Sequence, residues 1–280
     1  MTNRANRGFT WPELIVVAII VALLLLLLPS QLFDSRIETR RATCLHNQKQ
    51  LALSLLNYES SHNCFPGYVN RIEADAETSA IVSSWVPPLF LYLDRDDLFQ
   101  VWKEGNPVAP VLKVLCCPSQ GRESSPTAPE SDYVANCGRP GDADTPAHGV
   151  FHNHDVDGER VSVSLDYVSQ HDGTTYTLLL SENLQAGLWT DTEEADIGMV
   201  WHEAAGPMSH INRGKNAGRR RQDIQYARPS SNHPGRVVVS FCDGHQQFLN
   251  EDIDYRVYQH LMTPDSNEAA VEGELDPGDF

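Results

Sequence analysis

The sequence predicts an α+β protein in which one long N-terminal helix packs on a largely antiparallel β-sheet head with long loop insertions. Three observations lead to this prediction. Residues 9–28 are almost entirely apolar, residues 29–58 keep a helical stripe of apolar positions, and residues 70–250 alternate short apolar runs with turn-forming residues. A chain of 280 residues is long enough to bury a substantial core.

The apolar run at residues 9–28 is the first predicted element. It contains one charged side chain, Glu13, and as a helix it would extend over about 30 Å, the thickness of a bilayer core. We therefore predict a transmembrane helix, with residues 1–8 as a leader peptide before it. No A-x-A site follows the run, so we do not expect removal as an ordinary secretory signal.

Beyond the apolar run, the helix is predicted to continue as an amphipathic segment over residues 29–62. Apolar residues recur at helical spacing after Pro29, which should kink the helix rather than end it. We expect the helix to end near Tyr58, because Asn63 and Pro66 interrupt the pattern.

The head is predicted to comprise residues 63–262 and to be followed by an acidic, disordered tail at residues 263–280. Asp243-Gly244 lies between two β-prone runs, which predicts a hairpin with a type I′ turn and positive φ at both residues. The predicted strands are residues 85–93, 111–117, 161–168, 175–182, 199–202, 236–241 and 246–249, and residues 253–261 are predicted to form a short closing helix.

Composition limits the classes of function. The 38 acidic side chains outnumber the 21 basic ones, which argues against nucleic-acid binding. The sequence has no Gly-x-Ser-x-Gly, phosphate-loop, His-Glu-x-x-His or dinucleotide motif, so we predict a protein without enzymatic activity or cofactor.

The six cysteines offer few recognisable spacings. No Cys-x-x-Cys pair is present, and the adjacent Cys116 and Cys117 are not a usual zinc spacing, so the sequence argues against zinc. Disulfides are expected if the head lies outside the cytoplasm. Cys44 paired with Cys64 or with Cys117 would fix the helix to the head, and the sequence does not choose between these pairs or between disulfides and buried free thiols.

Two polar clusters have alternative interpretations. His152, His154, Asp155 and Asp157 alternate along one segment and are candidate ligands for Ca²⁺ or a transition metal, although a solvated turn is the default interpretation because the rest of a calcium loop is missing. A basic patch comprises Arg213, Lys215 and residues 219–221. It is interpreted as a solvated loop, or else as a contact for an acidic face of the next subunit or for an anionic polymer.

The start of the chain carries a recognisable pattern. Gly8, Phe9, Thr10 and Glu13, followed by the apolar run, resemble the prepilin-type start of type IV pilins and type II secretion pseudopilins. The resemblance implies that a prepilin peptidase cuts after Gly8, that Phe9 is then methylated, and that Glu13 pairs with the first amino group of a neighbouring subunit. The alternative for Glu13 is contact with lipid headgroups. The dipeptide Trp11-Pro12 departs from the aliphatic pair usual in that family.

Further motifs extend from Arg7 to Met262. They include Arg41-Ala-Thr-Cys-Leu-His-Asn-Gln-Lys-Gln-Leu51, Cys64-Phe-Pro-Gly67, Cys117-Pro-Ser119, Ser131-Asp-Tyr-Val-Ala-Asn136 and Thr177-Leu-Leu-Leu-Ser-Glu182. Near the end, nine residues separate His233 from Asp243-Gly244. This set is similar to a large uncharacterised bacterial family of prepilin-type proteins with a C-terminal H-x9-D-G signature. We interpret His233 as a residue that bonds loop backbone, with contact to a ligand or partner as the alternative.

The resemblance implies a pseudopilin-like structural subunit anchored in the bacterial inner membrane. Its N-terminus would be cytoplasmic and its head periplasmic or at the cell surface. The implied partners are the prepilin peptidase, membrane lipid, and copies of itself or other pseudopilin-like subunits. One alternative is a monomeric tethered binding protein that uses the prepilin start only for export. Another is a tethered hydrolase that uses His233, Asp243, His152 and His154.

Overall fold

The computed structural model describes residues 10–73, 79–120, 128–141, 144–204, 206, 210–213, 223–273, 275–276, 278 and 280, without the side chains of residues 25–36. The helices are α1 (Trp11–His62), α2 (Asp96–Lys103), α3 (Leu165–Gln170), α4 (Glu194–Ile197) and α5 (Tyr255–Met262). The strands are β1 (Val69–Ile72), β2 (Ile81–Ser84), β3 (Tyr133–Gly138), β4 (Leu178–Glu182), β5 (Gly198–Val200), β6 (Arg236–Phe241) and β7 (Gln246–Asn250).

Helix α1 runs through Pro29 without ending. At its start the Thr10 N–H donates to Oε2 of Glu13 at 2.8 Å. This hydrogen bond satisfies a backbone N–H that has no acceptor within the helix. At its end Asn63 adopts a left-handed conformation (φ 56°) and its N–H donates to the Glu59 carbonyl. The helix is therefore one turn longer than the predicted end near Tyr58.

The prediction of a membrane-spanning helix is wrong. Within the described part of the chain, no helix is long and apolar enough to cross a membrane.

The chain has the α+β class that the sequence predicts. A five-stranded sheet has the order β5-β3-β4-β6-β7, in which β3 and β5 are parallel and every other neighbouring pair is antiparallel. Strands β1 and β2 form a separate antiparallel pair. The sheet is therefore mixed, and its one parallel pair was not predicted.

Two hydrophobic layers cover the two faces of the five-stranded sheet. On one face, Leu51 and Leu55 of α1 pack with an aromatic group formed by Phe90, Trp102 and Trp189. On the other face, α5 packs over alternate residues of β6, namely Val237, Val239 and Phe241. Ala269, in the segment whose composition predicts a disordered tail, is buried in this second layer.

A buried glutamine joins α1 to the middle of the sheet. Gln48 is fully buried, its Nε2 donates to the Val238 carbonyl at 2.7 Å, and its Oε1 accepts from Ser240 Oγ at 2.8 Å. Because both polar ends of this side chain are satisfied, its burial costs little. Helix α1 is thereby aligned along β6.

Three of the predicted strands are wrong. Residues 87–92 form a 3₁₀ helix, since Pro87 and Pro88 lack the N–H groups that a central strand needs. Residues 113–115 form another 3₁₀ helix. Within the predicted strand 161–168, Ser164 caps α3 by accepting a hydrogen bond from the Tyr167 N–H at 3.1 Å.

The remaining predicted elements are present: β4 lies within residues 175–182, β5 overlaps residues 199–202, and β6, β7 and α5 fall where they were predicted. The turn between β6 and β7 is nevertheless not type I′, because only Gly244 has positive φ (87°). The Gly244 N–H donates to the Phe241 carbonyl, so the turn is a three-residue loop that ends in a left-handed glycine.

Candidate functional site

Four buried side chains from four separate parts of the chain meet between α1 and the sheet. We call this the buried cluster: Cys44 on the inner face of α1, Cys117 before a 3₁₀ turn, Glu182 at the end of β4, and His233 in the loop before β6. One donor atom from each residue lies within 4.8 Å of all the others. The cluster therefore joins the helix to the head at a single point.

The two cysteines of the buried cluster form a disulfide that closes a 73-residue separation. Of the two partners that the sequence left open for Cys44, the structure places Cys117 at bonding distance, whereas Cys64 is a free, half-buried thiol. Partial burial raises the pKa of the Cys64 thiol. The Cys117 N–H also donates to Oδ2 of Asp132 at 2.8 Å, which fixes the segment that carries the disulfide.

The carboxylate and the imidazole of the buried cluster are in contact. Oε2 of Glu182 accepts a hydrogen bond from the Val238 N–H at 3.1 Å, which leaves Oε1 directed into the cluster. That Oε1 atom lies 3.3 Å from Nε2 of His233 and 2.9 Å from Sγ of Cys117. His233 is held in turn by an edge contact of its ring with Phe248. Its imidazole thus reaches the interior rather than bonding only to loop backbone.

The buried cluster offers two sulfur atoms, an imidazole nitrogen and a carboxylate oxygen, which are donor types that a divalent transition metal accepts. The argument against zinc from the sequence considered only local spacing. Here 73 residues separate the two cysteines and 65 separate Cys117 from Glu182, so no short motif indicates the site. Only the fold brings these residues together.

The residues of the H-x9-D-G pattern do not form one site. His233 precedes β6 and Asp243 follows it, so they lie beyond opposite ends of the strand. At the Asp243 end, a Cβ added to Gly244 would lie 2.8 Å from Cδ1 of Leu56 on α1. The two halves of the pattern therefore contact α1 at both ends of β6, through His233 with Cys44 and through Gly244 with Leu56.

The other metal candidates do not converge. His152 is buried, with Nδ1 2.6 Å from Oδ1 of Asp144 and Nε2 2.9 Å from the Gly149 carbonyl. Asp155 forms an ion pair with Arg71 on β1. Asp157 is exposed. Among the described residues, only the buried cluster gathers three or more potential metal-ligating groups.

His154 is half-buried beside these residues, and its environment should make the free energy of unfolding depend on pH. Burial, followed by the charges of Arg160 and His152, lowers the pKa of His154 from 6.5 to about 4. The unfolded chain then binds this proton at higher pH than the folded chain. The free energy of unfolding should therefore fall as pH drops from about 6.5 towards 4.

We expect His154→Gln to make this fall shallower, because a neutral side chain has no proton to gain. The measurement is urea unfolding of the wild type and the variant at several pH values between 4 and 7, as set by the two pKa values. The matched control is His46→Gln on the exposed face of α1. Parallel pH profiles for the wild type and His154→Gln would contradict the prediction.

The N-terminal third of α1 is a second notable feature. Every described side chain from residue 11 to residue 24 is exposed, and apart from Pro12, Glu13, Ala18 and Ala22 these are large apolar residues such as Leu14, Val17 and Val21. The hydrogen bond from the Thr10 N–H lowers the pKa of Glu13 and keeps its carboxylate at the helix start. This surface is far more apolar than that of an ordinary folded monomer.

Some predicted site residues lie outside the described residues. These are the processing residues Gly8 and Phe9, and Lys215 with residues 219–221 of the basic patch. Arg213 is described and is exposed.

Residues 35–256 match the model of a protein family whose description is "Protein of unknown function (DUF1559)". The match covers most of the chain, including every residue of the buried cluster, and confirms the expectation of an uncharacterised family. No curated protein and no solved structure matches the chain.

Proposed function

The chain belongs to the DUF1559 family of unknown function, and we propose that it is a pseudopilin-like structural subunit that assembles into a filament through the N-terminal third of α1. The prepilin-type start and the H-x9-D-G pattern are the sequence features behind this proposal. In it, the chain has no catalytic role, and its partners are copies of itself or other pilin-like subunits.

The observation that carries the proposal is the exposed apolar surface of residues 11–24, which we call the apolar segment. Burying apolar surface yields roughly 25 cal/mol per Å², so a run of uncovered Leu, Ile and Val side chains strongly favours association. The segment is a single helix, and parallel copies of such a helix can cover one another with the same side chains. A bundle of these helices would form the core of a filament.

The attachment of α1 to the head supports the same function. The disulfide between Cys44 and Cys117 and the two hydrogen bonds of Gln48 fix the second half of the helix against the sheet. Packing of the apolar segments would therefore position each head at a defined place on the filament surface.

Processing and location follow from the prepilin pattern within this proposal. A prepilin peptidase would cut after Gly8, and Phe9 would become the methylated first residue. The disulfide supports a location of the head outside the cytoplasm, because disulfides persist in oxidising compartments. In the assembled state, the Glu13 carboxylate would leave its contact with the Thr10 N–H and pair with the amino group of Phe9 in the next subunit.

A charge within the apolar segment should disrupt assembly. Val21 and Leu53 lie on the same helix and are each 47% exposed, but Leu53 lies beside the head. We expect Val21→Arg to reduce the high-molecular-mass fraction at least about ten-fold, since an unpaired charge in an apolar interface costs several kcal/mol. Sedimentation of both variants from producing cells measures the effect, and Leu53→Arg should assemble like the wild type.

The same sedimentation experiment distinguishes filament assembly from the main alternative, a monomeric binding protein. A monomeric binding protein would sediment as a single subunit in the wild type, and Val21→Arg would change nothing. Equal losses of assembly in Val21→Arg and Leu53→Arg would place the contact elsewhere on the molecule.

A further inference from the structure

We propose that the buried cluster binds one divalent transition-metal ion of the zinc class when Cys44 and Cys117 are reduced. The disulfide and the metal-bound dithiolate are then alternative ways of fixing α1 to the head. This inference does not depend on filament assembly.

The donor set fits such an ion. Two cysteine sulfurs, one imidazole nitrogen and one carboxylate oxygen make four ligands, the number that a structural zinc site uses. The donor atoms lie within 4.8 Å of one another. Around a tetrahedral Zn²⁺ with Zn–S bonds of about 2.3 Å, two sulfur ligands are about 3.8 Å apart. Once the disulfide is broken, the two sulfur atoms must separate to about this spacing, whereas the imidazole nitrogen and the carboxylate oxygen already lie close enough to share one ion with them.

The contacts of Glu182 provide an independent reason. A sulfur atom in a disulfide carries no hydrogen, so Oε1 of Glu182 at 2.9 Å from Cys117 Sγ accepts no hydrogen bond from it. The same oxygen lies 3.3 Å from His233 Nε2, and that nitrogen lies 4.0 Å from Cys117 Sγ. The carboxylate oxygen, the imidazole nitrogen and the sulfur atom thus point towards one another, as the donor atoms of ligands that share one cation do.

The surroundings hold the ligands in place. The Val238 N–H occupies the second oxygen of Glu182, so only Oε1 faces the cluster. The Asp132 carboxylate fixes the backbone of Cys117, and Ser231 Oγ accepts a hydrogen bond from the His233 N–H at 3.1 Å. All four ligands are buried, which excludes the water that would compete for the ion. Such outer contacts are a regular feature of protein metal sites.

The disulfide and the metal-bound dithiolate interconvert by a two-electron thiol–disulfide exchange. A small dithiol transfers two electrons and two protons to the Cys44–Cys117 disulfide and becomes a disulfide itself. The two cysteine thiols then lose their protons as the metal binds, because thiolate is the ligand. In the reverse direction the small disulfide takes two electrons from the two thiolates and two protons from water and becomes the dithiol again, the ion leaves, and the two sulfurs bond to each other.

The experiment compares the full chain in its reduced and oxidised forms with Co²⁺ as the probe. A phosphine reductant, which takes an oxygen from water as it reduces the disulfide, is removed under anaerobic conditions before Co²⁺ is added. We expect the reduced chain to bind about one Co²⁺ with tetrahedral visible bands and thiolate charge-transfer absorption. Zn²⁺ should then displace the Co²⁺. The oxidised chain should show neither absorption.

Variants identify the ligands. We expect His233→Gln and Glu182→Gln to weaken Co²⁺ binding more than about ten-fold, since loss of even an outer contact costs 10- to 100-fold. Cys64→Ser, a free cysteine outside the cluster, should bind like the wild type. A reduced wild-type chain that binds neither ion, or a Co²⁺ spectrum without thiolate absorption, would overturn the proposal. If a variant does not fold, Co²⁺ binding by the reduced and the oxidised wild-type chain still tests the proposal.

Discussion

Replacing Cys117 with serine should lower the free energy of unfolding by about 4 kcal/mol. The disulfide with Cys44 closes a 73-residue separation, and the entropy that this closure removes from the unfolded chain corresponds to about 4 kcal/mol at 25 °C. The change should appear as a lower urea midpoint under non-reducing conditions with a chelator present.

Cys64→Ser is the matched control for this prediction. Cys64 is a half-buried free thiol, so its replacement removes one small side-chain contact and no cross-link. We expect its unfolding midpoint to stay close to that of the wild type. Adding a reductant should bring the wild type down to the Cys117→Ser value, whereas equal stabilities of the two variants in the oxidised state would contradict the role given to the disulfide.

Truncating Trp189 to alanine should cost about 3–5 kcal/mol, the range for large aromatic residues in cores. Its ring is fully buried, with centroids 5.8 Å from Phe90 and 6.0 Å from Trp102. Its Nε1 donates to the half-buried Pro110 carbonyl at 3.1 Å. The truncation therefore removes packing in the first hydrophobic layer and removes the donor of this carbonyl.

The same truncation at Trp11 provides the comparison. Trp11 lies at the start of α1 and is 79% exposed, so Trp11→Ala should change the free energy of unfolding of the monomer by less than about 0.5 kcal/mol. Urea unfolding in a non-denaturing detergent measures both variants. Similar losses for Trp11→Ala and Trp189→Ala would show that the aromatic group is not the core that the packing indicates.

The sequence predicts those parts of the fold that depend on local pattern. Helix α1 and the β6–β7 hairpin were predicted because apolar periodicity and Asp243-Gly244 act over neighbouring residues. The strand β3 was not predicted, although it lies inside the five-stranded sheet between β5 and β4, because every residue from Tyr133 to Gly138 is buried and an alternating pattern is missing.

The incorrectly predicted strands and hairpin turn have local causes. In each case a residue nearby opposes the structure that the apolar pattern predicts. Pro87 and Pro88 interrupt an apolar run that otherwise reads as a strand, and Ser164 starts a helix within another such run. At the hairpin, Asp243 keeps negative φ and only Gly244 enters the left-handed region. The preference for a type I′ turn was therefore overridden by the length of the loop.

The buried cluster could be predicted only in part. Cys44 and Cys117 stood out as one of two possible pairs, and His233 as part of a pattern. Glu182 appeared only as the last residue of the motif Thr177–Glu182, and nothing local marked it as a site residue, since a glutamate at the end of an apolar strand is usually a solvated strand end. Its carboxylate is held inside by the Val238 N–H of β6, a residue more than 50 positions away in the chain.

Oxidative cross-linking in producing cells is the most direct test of the central claim, that the apolar segment contacts another subunit. Val17→Cys and Leu53→Cys place a thiol at 50% and 47% exposed positions of α1, each in a Cys64→Ser background. Mild oxidation should yield disulfide-linked dimers from Val17→Cys and only monomers from Leu53→Cys. Monomers alone from Val17→Cys, or equal dimer yields from both positions, would contradict assembly through the apolar segment.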